Sequence, residues 1–343
     1  MLFKIVLLLI ISINFCTASS DQELDALCTV YKYLDDYQNL DNWSIGCADN
    51  YTGPSSIKCK FDGIECNYNG HVSEMFLHPY NGTFDKSFWF SFPQIKGLYF
   101  FSDLGSYPEC IFPEYGWTNL TNLKEFSIVG CHVNYYINDT HLPLDILHSE
   151  SLTNFGLGDS IQLNLQTPNY FPSEWLSPPY GPNIEGIALF GNNLYGEIPI
   201  NFINYPKLVQ LMLFNNDLHG EIPIEYFTTN NKLSDLYLDD NKLWGSIPKL
   251  STDSGLKLLS VDNNILSGNI DSTLWNQLTW LEISFNELSG DLTSISVNHE
   301  MYFDAAYNNF TGTIDDSFCK YMTKCNLSGN DVKKNTGVKC CKF

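Results

Sequence analysis

One repeat constrains this chain more than any other feature. Between Ile184 and Ile314 the sequence makes nearly the same statement six times, with starts 22 to 25 residues apart. Ile184, Ile187, Leu189, Asn192, Leu194, Gly196, Ile198 and Pro199 make the first. Leu208, Leu211, Leu213, Asn216, Leu218, Gly220, Ile222 and Pro223 make the second. The same positions recur around Asn241, Asn264 and Asn286, and the run closes with Phe303, Ala305, Asn308, Phe310, Gly312 and Ile314. Apolar-x-apolar alternation points two side chains inward from a short strand. The Asn stands where the chain turns off that strand, and its amide both donates and accepts, so it bonds the backbone of neighbouring coils. One such unit cannot bury its own apolar face, so many must stack and share a continuous core.

This is the leucine-rich repeat pattern, L-x-x-L-x-L-x-x-N-x-L. The L-x-G-x-I-P ending, as in Leu218-His219-Gly220-Glu221-Ile222-Pro223, resembles the plant-type extracellular class. That class is found in receptor-like protein ectodomains and in secreted polygalacturonase inhibitor proteins. The resemblance implies an α/β solenoid, a right-handed leucine-rich repeat superhelix with a parallel sheet on its concave face. It also implies a second short strand at the Gly-x-Ile-Pro segment and disulfide-bonded caps at both ends. Coil starts at 72, 95, 123, 152, 184, 208, 233, 256, 278, 300 and 322 total about eleven.

Residues 1–20 are read as a secretory signal peptide. Lys4 precedes the apolar run Ile5 to Ile13, and Cys16-Thr17-Ala18 offers small residues for cleavage. A retained anchor is the alternative, but the run is short for a spanning helix. No second apolar run of about 18 residues follows, and Cys340-Cys341-Lys342-Phe343 gives no hydrophobic tail for a lipid anchor. The mature protein is therefore expected to be secreted, outside the cell or in a secretory compartment. Eleven cysteines less Cys16 leave an even ten, which suits an oxidising compartment. Seven N-x-S/T sequons, at Asn42, Asn50, Asn81, Asn119, Asn138, Asn309 and Asn326, mark expected glycosylation. The formal charge of −21 becomes −22 without Lys4. Such a chain is a poor match for nucleic acid, whose phosphates need a basic patch. It would attract basic partners, although a merely solvated acidic surface has the same composition.

The expected organisation is a cysteine-rich cap over 21–71, repeats over 72–318, and a last repeat with a C-terminal cap over 319–343. Leu24, Leu27, Tyr31 and Leu34 give Asp21 to Trp43 helical spacing. Cys59-Lys60-Phe61-Asp62-Gly63-Ile64-Glu65-Cys66 resembles the family's C-x-W-x-G-V-x-C cap, with Phe61 for Trp and Ile64 for Val. That resemblance implies a Cys59–Cys66 disulfide and a second between Cys28 and Cys47. A zinc site is the alternative, but the cap lacks C-x-x-C and nearby paired His. Cys131 stands where Asn is usual, and Cys110 in the adjacent coil is its candidate partner. Cys319, Cys325, Cys340 and Cys341 allow three connectivities. Adjacent Cys340 and Cys341 are poorly placed to bridge each other.

No catalytic constellation is found: no H-E-x-x-H, no G-x-S-x-G elbow and no phosphate loop. The acid pairs Asp239-Asp240 and Asp315-Asp316 have no spacing that would make them glycosidase carboxylates. The chain is expected to be no enzyme and to need no cofactor or metal. What remains is a surface. The outward strand positions form three columns on the concave face. Phe190, Met212, Phe214 and Tyr237 converge in consecutive coils. Asp239, Asp262, Glu282 and Asp304 follow, with Trp280 and Tyr302 beside them. Grouped aromatics suggest an interface, and interleaved carboxylates suit a basic or polyhydroxylated partner. The expected partner is an extracellular protein or peptide, basic in character, with a glycan as a further candidate. The alternatives are a matrix glycoprotein without a discrete ligand and a co-receptor lacking its own anchor. A second candidate region is the Pro-rich loop from Ser160 to Asn183, which carries Tyr170, Phe171, Trp175 and Tyr180. Its aromatics either bind a ligand or pack on the solenoid flank.

Overall fold

Every L-x-L segment becomes a short strand because its two apolar side chains can be buried only against the next coil. A computed structural model describes residues 21–30, 55–78, 82–83, 91–102, 110–112, 115–131, 135–136, 139–140, 143–160, 170–228, 232–293, 295–335 and 338–343. Among the described residues the large sheet has 13 strands in chain order. Strand Ile64–Cys66 pairs antiparallel with Val72–Leu77 and covers the first edge. From Val72–Leu77 to Met322–Asn326 each strand then lies parallel to that of the next coil, and Cys341–Lys342 closes the far edge. The register matches the columns read from the sequence. Gly186, Gln210, Asp235, Leu258, Trp280 and Tyr302 pair in succession. Neighbouring coils therefore repeat at the strand spacing, about 4.8 Å.

A second sheet of seven short strands runs from Tyr195–Gly196 to Asp331–Lys334, at the segments where the family resemblance implies one. Between the sheets and the outer wall lies a single core in which Leu211, Leu236, Leu259 and Leu281 have no exposure. The outer wall is made of short 3-10 turns such as Ile200–Asn204 and Ile224–Phe227, with one helical turn and a half at Ser272–Gln277. Asp271 caps that helix by accepting from the Thr273 N–H at 2.9 Å.

The Asn ladder binds coil to coil. Asn241 Nδ2 donates to the carbonyls of Leu238 at 3.0 Å and Asp239 at 3.1 Å in its own coil, and to Leu213 at 3.0 Å in the preceding coil. Its Oδ1 accepts from the Leu218 N–H at 3.0 Å. Asn264, Asn286, Asn308 and Asn330 repeat the pattern. Where the repeat lacks Asn, Ser160 takes the place and donates to the Ile128 carbonyl at 3.2 Å, and Cys131 takes it by bonding Cys110.

The first coil is capped by helix Asp21–Val30, and the rest of the expected helix toward Trp43 lies outside the described residues. Glu23 and Lys58 pair inside this cap with no side-chain exposure. Glu23 also accepts from the Val72 N–H at 3.3 Å and meets His71 Nδ1 at 3.3 Å. One carboxylate thus ties the helix, the 3-10 turn Ser55–Lys60 and the first strand together. Cys59 bonds Cys66. Cys28 is disulfide-bonded, and Cys47, its expected partner, lies outside the described residues. At the other end Cys319 bonds Cys340 and Cys325 bonds Cys341, which selects one of the three connectivities. Asn42, Asn50, Asn81, Asn138 and residues 1–20 lie outside the described residues.

Two outcomes test this account. Asn241→Leu should cost about 1–3 kcal/mol, because several backbone groups lose partners at once; the denaturant midpoint measures it. Lys58→Met leaves a buried carboxylate without its cation and should cost about 3–5 kcal/mol. The same titration should show the Lys58 variant as the weaker of the two.

Candidate functional site

The concave face changes character along its length. In the fourth coil, strand Asn154–Gly158 carries glycines at two outward positions, Gly156 and Gly158. The bare strand gives the next coil room. Phe190 lies flat over Gly158, where a Cβ would stand 2.2 Å from the ring. Phe214 stacks on Phe190 with centroids 4.8 Å apart and planes 5° from parallel. Aromatic stacking between adjacent parallel strands is what their register allows. Tyr237 follows one column over, half-buried, and its hydroxyl is pushed up to about 12, first by burial and then by Asp235 and Glu282.

Beyond Tyr237 the face is acidic. Asp239, Asp262, Glu282 and Asp304 project from four consecutive coils. None of them forms an ion pair among the described residues. Their partners are neutral donors. The Ser260 hydroxyl donates to Glu282 at 3.2 Å, the Ser284 hydroxyl to Asp304 at 2.6 Å, and the Ser284 N–H to Asp262. Asp239 Oδ1 is buried with no hydrogen-bond partner. Burial raises the Asp239 carboxyl above the usual carboxylate range. Burial, then Glu282, raise Asp262 to about 7 despite the Ser284 bond. Burial and neighbouring like charges thus disfavour ionisation of Asp239 and Asp262, while Lys324 is the cation whose field reaches Glu282 and Asp304. Among the described residues no three His, Cys, Asp or Glu side chains are grouped as metal ligands.

Trp280 and Tyr302 flank the acids as a ladder with centroids 3.8 Å apart and planes 1° from parallel. Lys324 ends that ladder, with Nζ 4.7 Å from the Tyr302 centroid and donating to its hydroxyl at 2.6 Å. Nine of the ten residues expected on this face are at least partly exposed. Met212 is not, with 7% exposure, so its place as a contact residue is corrected. It lies between Ala188 and Tyr237 in the central column. Ser260 and Ser284, also at outward positions, are buried too, each bonded to a carboxylate of the next coil.

The described part of the Pro-rich loop, residues 170–183, places Phe171 and Trp175 in the core and leaves Tyr170 exposed. Trp175 has no exposure and meets Phe155 edge-on at 5.4 Å. Tyr180 packs on Tyr205 at 5.0 Å and donates to the Leu176 carbonyl at 3.1 Å. These two are therefore poor candidates for contact with a ligand. Sequence reasoning passes over Phe285 and Tyr307, which sit one residue beyond the outward columns and are among the most exposed large apolar side chains. Of the sequons, Asn119 and Asn309 are exposed. Asn326 lies in the concave central column beside Asp304, to which its amide donates at 3.2 Å.

The arrangement of coils is shared with known proteins. A plant ice-binding protein superposes with a TM-score of 0.59 at 21% identity, over 92% of this chain and 88% of that one. The PEPR1–AtPEP1 structure gives 0.55 at 19% identity, over 91% of this chain and 52% of that one. A TDR receptor gives 0.52 at 21%, over 76% and 52%. The fold is the plant-type leucine-rich repeat solenoid. No protein-family model matches the chain. A probable leucine-rich repeat receptor-like serine/threonine-protein kinase of Arabidopsis thaliana is 34% identical over 89 residues, 26% of this chain and 7% of that protein. The chain thus spans a small fraction of that curated relative and about half of the PEPR1–AtPEP1 and TDR receptor chains.

The raised carboxyl of Asp262 has a measurable consequence. The folded state holds this proton up to about pH 7, against 3.8 for an ordinary aspartate. Its contribution to stability is full below the ordinary value and is lost as pH rises through that window. Asp262→Asn should therefore stabilise the protein at pH 8 by roughly 1–3 kcal/mol and change little at the acid end. Urea midpoints across the window measure it, and a uniform shift at all pH values would contradict the assignment.

Proposed function

We propose that this chain is an extracellular recognition protein that captures a basic protein segment on the concave face of its fifth to tenth coils. One observation carries the reading. Four carboxylates, partly withdrawn from water and none ion-paired among the described residues, lie beside stacked aromatics on a rigid sheet. Desolvating a carboxylate without a cation is unfavourable. A Lys or Arg from outside would relieve that cost at Asp239, Asp262, Glu282 and Asp304 together. A strand-borne face is already ordered, so little conformational entropy is lost when a partner docks. The fold is shared with a structure named for two components, PEPR1–AtPEP1, and with a receptor, TDR, which supports a binding role. Among the described residues no helix is long and apolar enough to cross a membrane. The ten described or expected disulfide cysteines and the sequons support placing the protein outside the cell.

Kinetics on a biosensor test the division of labour within the face. The probe is a lysine-rich peptide, with a glutamate-rich peptide of equal length as control. The aromatic anchors should govern release and the carboxylates approach. Phe214→Ala should raise the dissociation rate roughly tenfold if the ring is an anchor. Asp239→Lys should slow association, most at low salt, where the Debye length exceeds about 10 Å. Wild-type rates in both variants, each folded by circular dichroism, would remove the concave face as the site.

A further inference from the structure

At the turn that ends each strand, the residue before the ladder Asn takes the left-handed backbone conformation. Elsewhere this residue is one that tolerates it: Asn215, Asp240, Asn263 or Gly329. In the ninth and tenth coils it is Phe285, with φ 52°, and Tyr307, with φ 54°. A bulky side chain is disfavoured there because its Cβ crowds the backbone. The ladder holds both residues in place all the same. Phe285 donates to the Ala306 carbonyl at 2.8 Å, and the Asn286 N–H donates to the Tyr307 carbonyl at 3.3 Å. Burial covers only about half of each residue, for Phe285 is 53% exposed and Tyr307 55%. The two rings stack with centroids 4.6 Å apart. Tyr307 lies down over Gly329, where a Cβ would come within 2.6 Å of it. Two coils therefore depart from the local rule at one place, and the result is a flat aromatic patch facing water.

The patch adjoins the acids directly. Ser284, next to Phe285, gives its N–H to Asp262 and its hydroxyl to Asp304. Asp304 also accepts from the Ala306 N–H at 3.3 Å, one residue before Tyr307. We infer that Phe285 and Tyr307 anchor a large apolar side chain of a basic polypeptide whose neighbouring Lys or Arg meets Asp262 and Asp304. This rests on the reading that the concave face takes a basic partner. Exposed strain is unfavourable for the free protein, and contact with a further apolar side chain would offset more of it in the complex.

The test uses the full chain and sets stability against binding. The double variant Phe285→Asn, Tyr307→Asn places a residue suited to the left-handed turn in both coils. Its melting temperature should be unchanged or higher by about 2 °C. The probes are two amidated peptides, Lys-Lys-Phe-Lys-Lys-Phe and Lys-Lys-Ser-Lys-Lys-Ser. Wild type should bind the Phe peptide more tightly. The double variant should lose roughly tenfold in affinity for it and keep wild-type affinity for the Ser peptide. A lower melting temperature would assign the pair to stability and overturn the inference. So would equal affinity of wild type and variant for the Phe peptide. If wild type binds the Ser peptide and the variant binds both peptides as wild type does, the anchor fails while the basic-partner reading stands. If wild type binds neither peptide, both fall.

Discussion

The structure depends on how the turn after each strand satisfies its backbone. A chain that leaves a parallel strand inside a core carries carbonyls and N–H groups that water cannot reach, and leaving them unpaired costs about 1–3 kcal/mol each. The ladder Asn answers several at once, bonding its own coil and its neighbour. With the turn solved by the same Asn from the fifth coil onward and by Ser160 or Cys131 before it, the strands fall into one register and the outward side chains become columns. The caps do for the terminal coils what a neighbour does for internal ones. Glu23, Lys58 and Cys59–Cys66 close one end. Cys319–Cys340 and Cys325–Cys341 close the other.

The concave face inherits its chemistry from that register. Parallel strands in step put like beside like whenever adjacent coils carry similar residues. Aromatic neighbours gain from this, since Phe190 and Phe214 stack, as do Trp280 and Tyr302. Carboxylate neighbours lose, since Asp239 and Asp262 are driven toward their protonated forms. One geometric rule therefore makes a stable apolar end and a frustrated acidic end on a single sheet. That frustration is what a cationic partner would relieve.

Much of the fold was legible because its signal is periodic. The Leu and Asn positions give the strands, their order and their pairing, and the Gly-x-Ile-Pro endings match the second sheet through the family resemblance. Side-chain exposure was less legible. Met212 occupies an outward position, yet it is buried. Alternation gives direction, not accessibility. Trp175 illustrates the converse: a loop aromatic that sequence leaves free to face either way is fully buried against Phe155. The titration of Asp262 depends on four coils at once, so no single repeat contains it. Phe285 and Tyr307 had a signal of a subtler kind. They stand where other coils use Gly, Asn or Asp, and only the φ angles show why that substitution matters.

Two of the stacked pairs, one on the concave face and one just beyond its outward columns, lie in different coils. Phe190 and Phe214 belong to the fifth and sixth, Phe285 and Tyr307 to the ninth and tenth. Coils repeat about every 4.8 Å, while an extended peptide presents same-side residues about every 6.6 Å. Two rulers of unequal pitch come into step only at intervals, here about every three or four coils. A strand-like ligand laid along the solenoid would touch it as a vernier does, at separated marks. The gap between the aromatic pairs is of that length, so for an extended ligand the coil pitch itself would set which residues are read and which are passed over.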